Sequence, residues 1–208
     1  MFNQPPPSLE TGRLAARSGR WDTARKAFEA SADRGEADGY YELALLYWYG
    51  NGAPKSLEKA VALFKLAAEG GNADGQHALG LALLPTDRAG AERWLLRAAE
   101  AGHPPAMTRL AELVMDREPD SARALLARAA ESGYPAAMIA YGQALANPDA
   151  AGADPSEGLA WLYAAVAITG DADIEHDAKA LARVLHARSI ESAQKRGRQL
   201  ARKFRQAG

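Results

Sequence analysis

The 208-residue chain contains no cysteine. That absence excludes a disulfide framework, a thiol nucleophile and every Cys-ligated zinc or iron–sulfur site. Aromatic residues are sparse, at 7%. Histidine is limited to His77, His103, His176 and His186. No two of these stand four apart or in an HExxH arrangement, so the helical spacing of a metal site is missing. No uncharged apolar run approaches the roughly 20 residues that span a bilayer. Pro5, Pro6 and Pro7 occupy the place where the apolar stretch of a secretory signal would stand. The expectation is a cytoplasmic protein without a membrane span, with residues 1–7 a flexible Pro-rich lead. Gly50-Asn51-Gly52 fits neither GxGxxG nor GxxxxGK[ST], and no Ser–His–acid grouping can be proposed from spacing. Neither a catalytic residue nor a metal nor a cofactor is expected.

Hydrophobic residues make up 48% of the chain and charged residues 25%, the balance of a folded, soluble protein. The net charge of −1 hides an asymmetry. Residues 179–208 hold nine Lys and Arg (Lys179, Arg183, Arg188, Lys195, Arg196, Arg198, Arg202, Lys203, Arg205) against the single acid Glu191. Residues 1–178 are correspondingly acidic. Such a dipolar chain can steer partners or pair its tail with an acidic surface.

A repeat runs along the sequence. Ala-rich segments end on Gly35, Gly71, Gly102, Gly133 and Gly170, spaced 31 to 37 residues apart. Glycine at the end of a helix fits a left-handed cap, where any Cβ is penalised. Each interval has room for two helices of about 11–14 residues and two turns. Seven residues before each glycine stand Phe28, Phe64, Leu95, Leu126 and Tyr163. Four residues earlier stand Ala24, Ala60, Ala91 and Ala122. A large apolar side chain with a small partner one turn away implies a core seam shared by every unit. Alternating apolar and polar runs are absent and Ala dominates, so helices are expected throughout. The fold class is all-α, with stability built from contacts between neighbouring units.

These residues resemble the Sel-one-like repeat (SLR) family, a relative of the tetratricopeptide repeats. The fit is best over residues 37–73, through Leu43, Tyr47, Gly50, Gly52, Lys59, Ala60, Phe64, Ala67, Ala68 and Gly71. Later units keep Gln76, Leu79, Gly80, Trp94, Leu110, Gly142 and Trp161. Residues 8–34 look like a more tetratricopeptide-like opening pair, with Ala24 and Phe28 four apart. The resemblance implies a right-handed α-solenoid of about six stacked antiparallel helix pairs with a concave groove. The array is placed at residues 8–170 and C-terminal capping helices with a basic face at 171–208. It further implies a non-enzymatic adaptor or scaffold that binds a protein or peptide in that groove.

Three sets of residues are candidates for function. Five residues after the repeat glycine stand Tyr40, Gln76, Met107 and Met138. If the first helices line the groove, as the resemblance implies, this ladder could grip a peptide, with adaptable Met and amphipathic Tyr. Ordinary half-packed helix surface is the alternative. Trp48 and Tyr49 point about 100° apart around one helix, so one of them is expected to be exposed. Trp48 is a candidate anchor beside the groove, with packing against the Gly50–Pro54 turn as the alternative. Near the C-terminus Lys195, Arg198, Arg202 and Arg205 fall on one helical stripe, with Leu200 and Phe204 on another. That pattern fits a cap over the last repeat. Alternatively the basic face binds nucleic acid or an anionic surface, although aromatics for stacking are missing around it. Asp171, Asp173, Glu175, His176 and Asp177 admit a metal site, but acids at a helix N-terminus are the stronger reading. A hydrolase is the remaining alternative, without a residue set to support it.

Overall fold

The computed structural model describes residues 8–207. Among them the chain forms twelve α-helices and no strand. In order these are α1 (Leu9–Arg17), α2 (Trp21–Asp33), α3 (Ala37–Tyr49), α4 (Leu57–Glu69), α5 (Ala73–Leu83), α6 (Arg88–Glu100), α7 (Pro104–Val114), α8 (Pro119–Glu131), α9 (Pro135–Ala146), α10 (Pro155–Thr169), α11 (Ala172–Ala182) and α12 (Ala187–Ala207). The Pro-rich lead expected at residues 1–7 lies outside the described residues.

The helices fall into two compact units, Met1–Ala101 and Gly102–Gly208. In the first, α1 packs on α2, α3 on α4 and α5 on α6, while α2 meets α3 and α4 meets α5. In the second, α7 packs on α8 and α9 on α10, with α8 against α9. The last two helices depart from this hairpin pattern, because α11 and α12 each dock onto α10.

Local chemistry sets the helix ends. The repeat glycines Gly35, Gly71, Gly102, Gly133 and Gly170 all have positive φ, between 69° and 90°. At Gly71 and Gly102 an added Cβ would meet nothing within 4 Å, so the backbone conformation alone demands glycine there. Starts are capped by side chains: Ser56 accepts from the Lys59 amide, Asn72 from Gly75, Asp87 from Gly90 and His103 Nδ1 from Ala106. Asp171 accepts from the Asp173 and Ile174 amides. That is the helix-start reading of the acidic cluster.

The core seam follows the sequence in four units. Phe28, Phe64, Leu95 and Leu126 are buried, each with its fully buried alanine at Ala24, Ala60, Ala91 or Ala122. In the fifth unit the expected Tyr163 is only half-buried and Leu162 takes its place. The reason is a shift of one residue. α2, α4, α6 and α8 end one residue before a right-handed cap, and the glycine follows that cap. α10 is 15 residues long against 13, and Gly170, itself the cap, stands 16 residues after the N-cap Asp154, where each of the others has its glycine 15 after the N-cap, so the seam position eight after the N-cap is Leu162. Counting back from glycine therefore lands one position late. Gly80 in α5 lies against Leu95, and Gly142 in α9 lies likewise against Leu162.

Candidate partner-binding surface

The ladder five residues after the repeat glycine does not form a surface. Met138 is fully buried, Met107 is 4% exposed and Gln76 8%. Gln76 Nε2 donates to the Ala68 carbonyl at 3.3 Å, and its Oε1 has no partner. Tyr40 is half-buried against the cluster of Ala15, Phe28, Leu43 and Leu46. Trp48 is half-buried with its ring 5.9 Å from that of Phe64. Gln76, Met107 and Met138 are corrected from groove contacts to parts of the packed interior, whereas Tyr40 and Trp48 keep part of their surface exposed. The physical cause lies in the stacking. A first helix with neighbours on two sides needs a wide apolar arc, and the ladder lies within it. Side chains buried this completely offer a partner no area.

The outward face of the first helices lies about one and a half turns further along. Ten residues after each glycine stand Leu45, Leu81, Glu112 and Gln143. Leu45 is half-buried; Leu81 (40%), Glu112 and Gln143 are exposed. Tyr49, one turn beyond Leu45, is 66% exposed and closes the helix before the Gly50 cap. The side chain at that position turns from apolar to polar between units.

In the first unit a polar network flanks this face. Arg13 Nε donates to Glu42 at 2.5 Å, and its guanidinium lies 3.4 Å from Asp38. Asn72 Nδ2 donates to Asp38 at 2.7 Å. The bond to Glu42 and the two carboxylates hold the Arg13 pKa above its ordinary value, against the opposing effect of burial. Tyr41, on the same helix as these carboxylates, packs on the core cluster with its ring 5.9 Å from Phe64. Burial, then the charges of Asp74 and Glu42, push its phenol up to about 12.

In the second unit the outward face opens into a groove of about 770 Å³ between α7, α8, α9 and the segment after α9. Glu112, Asp116, Asp120 and Asp149 line it against the single cation Arg123. Arg123 is already 3.4 Å from Asp120. The groove floor includes Met115 and the buried Leu126.

The basic stripe of α12 is on the surface. Lys195, Arg198, Arg202 and Arg205 are all exposed, while Ala193, Gly197, Leu200 and Ala201 are buried. Arg205 donates to the Ala167 carbonyl. Arg196 lies 3.6 Å from Glu157. Phe204 packs with its ring 6.4 Å from Trp161. At Gly197 an added Cβ would come within 2.8 Å of the Ala160 carbonyl and of Tyr163 Cβ, so glycine lets α12 lie directly on α10. Among the described residues, no group of three His, Asp or Glu is arranged to hold a metal ion, and no helix is long and apolar enough to cross a membrane.

The model of the Sel1 repeat family matches residues 37–72, 73–103, 104–134 and 135–167. The chain belongs to the Sel1 repeat family. The four Sel1 repeats correspond to the pairs α3/α4, α5/α6, α7/α8 and α9/α10, and α1/α2 precede them. The fold is the α-solenoid of antiparallel helix pairs that the family builds. Proteins with Sel1 repeats typically mediate protein–protein interaction and are generally non-enzymatic scaffolds. No curated protein matches the sequence significantly. Among solved structures the chain is similar to c5321, a protective antigen present in uropathogenic Escherichia coli strains displaying an SLR fold, with TM-score 0.87 and 23% identity. That likeness covers 94% of this chain and 45% of the antigen's, so the chain spans less than half of that relative. It is also similar to a Sel1 repeat protein from Oxalobacter formigenes (TM-score 0.77, 21% identity, 97% and 91% of the two chains). A third likeness is to immunity protein Pa5087 from Pseudomonas aeruginosa (TM-score 0.56, 20% identity, 97% and 84%). At these identities the likeness is one of fold.

Proposed function

We propose that this Sel1 repeat protein is a non-enzymatic scaffold, and that it holds a partner polypeptide on the outward face of its first helices. The observation that carries the reading is the division between two registers. Gln76, Met107 and Met138, five after their repeat glycines, are packed inside, whereas Leu81, Glu112 and Gln143, ten after the same glycines, are exposed. In the first unit that face is apolar, with Leu45, Tyr49 and Leu81; in the second it is polar and acidic, with Glu112 and Gln143. A rigid helical surface pays little ordering entropy on binding, which favours a scaffold role. Exposed leucine and tyrosine beside carboxylates match the usual make-up of a docking surface, apolar anchors with a polar rim.

The test is affinity capture from the source cells with the wild-type chain and with Tyr49→Glu/Leu81→Glu. Both side chains are exposed, so the variant keeps its melting temperature. Its capture of the partner falls at least about tenfold, as expected when anchors worth about 1.4 kcal/mol or more are lost. An unchanged catch would remove the proposed surface. Nucleic-acid binding through Lys195, Arg198, Arg202 and Arg205 is the lesser reading. The stripe has charge, but the one aromatic of α12, Phe204, is packed on Trp161 and leaves no stacking platform.

A further inference from the structure

The second unit exposes two surfaces of opposite charge. The groove presents four carboxylates, and those of Asp116 and Asp149 make no ion pair among the described residues. On α12, Lys195, Arg198 and Arg202 likewise face solvent without a carboxylate partner among the described residues. Neither surface can satisfy the other within one chain as it is folded. No residue of α12 lines the groove, and α12 is held on α10 through Ala193, Gly197, Leu200 and Ala201.

We propose that the acidic groove of one copy receives the cationic face of α12 from a second copy. The proposal rests on reading the outward first-helix face as a docking surface, and it names a partner for the second-unit part of that face. Charge complementarity selects the occupant. From Lys195 to Arg205 the stripe runs about 15 Å at 1.5 Å per residue, a straight row of cations on a rigid helix. The aliphatic stems of Lys and Arg can lie on the half-buried Met115 while their charged ends reach the rim carboxylates. Arg offers a planar fork that pairs two-pronged with Asp. Groove and helix are different surfaces, so the contact is not self-complementary. It joins copies head to tail, and the growing assembly keeps a free groove at one end and a free helix at the other.

Sedimentation velocity on the full chain tests this. The wild type is expected to be larger than a monomer at about 50 mM salt and monomeric at roughly 500 mM, where charges are screened within a few ångströms. A groove variant, Asp116→Asn/Asp149→Asn, is expected to be monomeric at low salt. So is a tail variant, Lys195→Gln/Arg198→Gln/Arg202→Gln. Mixed in equal amounts, the two form a 1:1 heterodimer and nothing larger, because one supplies the intact helix and the other the intact groove. A wild type that stays monomeric at low salt overturns the inference, and so does assembly that persists in either variant. A mixture that remains monomeric overturns it as well. The salt series needs no variant and stands even if a substitution disturbs folding. If homotypic assembly fails while capture of a foreign partner still depends on Tyr49 and Leu81, the inference falls and the proposed function stands.

Discussion

Phe64 shows how a single side chain organises a repeat. It is 3% exposed and sits over the fully buried Ala60, with the rings of Tyr41 and Trp48 each 5.9 Å away. Phe64→Ala is expected to lower stability by about 3–5 kcal/mol in chemical denaturation, the usual cost of emptying a well-packed aromatic site. Tyr41 beside it titrates late. Its folded pKa of about 12 lies above the ordinary 10. The stability this contributes is complete below pH 10 and is lost as pH rises through 12. In an alkaline absorbance titration the last phenol to ionise should disappear in Tyr41→Phe; its persistence would place that step elsewhere. Met138 marks what could not be read at this scale. Periodicity located Phe28, Phe64, Leu95 and Leu126 as core because each repeats with an alanine one turn away. Nothing in the sequence separates Met138 in the interior from Leu81 at the surface. In α3, α5 and α9 apolar residues surround the helix, so the pattern gives no centre for the buried arc. Which apolar side faces a neighbour is fixed by how the next hairpin lands, and that is a tertiary fact.

Glycines at the element scale act in two distinct ways. Gly71 is needed for its left-handed backbone, with open space where a Cβ would go. Gly71→Ala should therefore cost about 1–2 kcal/mol, the penalty for forcing that conformation on an L residue. Gly39 has ordinary helical geometry, but an added Cβ would lie 2.5 Å from Ser31 Oγ and 2.7 Å from the Ala32 amide nitrogen. Gly39→Ala must separate α2 from α3, and its loss of stability should exceed that of Gly71→Ala when the two thermal melts are compared. The reverse order would mean that helix spacing here is set elsewhere. Glycine punctuation made the turns legible from sequence, because few residues besides glycine adopt that φ. The same regularity misled the reading of α10. The longer α10 sets Gly170 one place further from the helix start, so the seam falls on Leu162 and not on Tyr163, and a cap glycine looks the same in sequence whether it lies at the cap or just beyond it. The docking of α12 on α10 was legible in part. Its apolar side was marked by Ile190, Leu200 and Phe204, while the close approach at Gly197 depends on a neighbour 37 residues away at Ala160.

Across the whole molecule, Sel1 repeats divide their side chains between holding the stack together and facing outward. Repeat stability is a sum of local terms, so exposed positions can vary from unit to unit without loss of fold. That freedom is visible in the change from Leu45 and Leu81 to Glu112 and Gln143. The charge asymmetry has the same origin, since α12 buries only one side and its other side is free to carry cations. The most direct measurement sets the two registers against each other by pairing a thermal melt with partner capture for Met138→Glu and for Leu81→Glu. Met138→Glu places an unpaired carboxylate in a fully buried site and should abolish the cooperative melt. Leu81→Glu should melt like the wild type and lose the partner. A native-like melt for Met138→Glu, or undiminished capture by Leu81→Glu, would contradict the division of roles on which the proposed function stands.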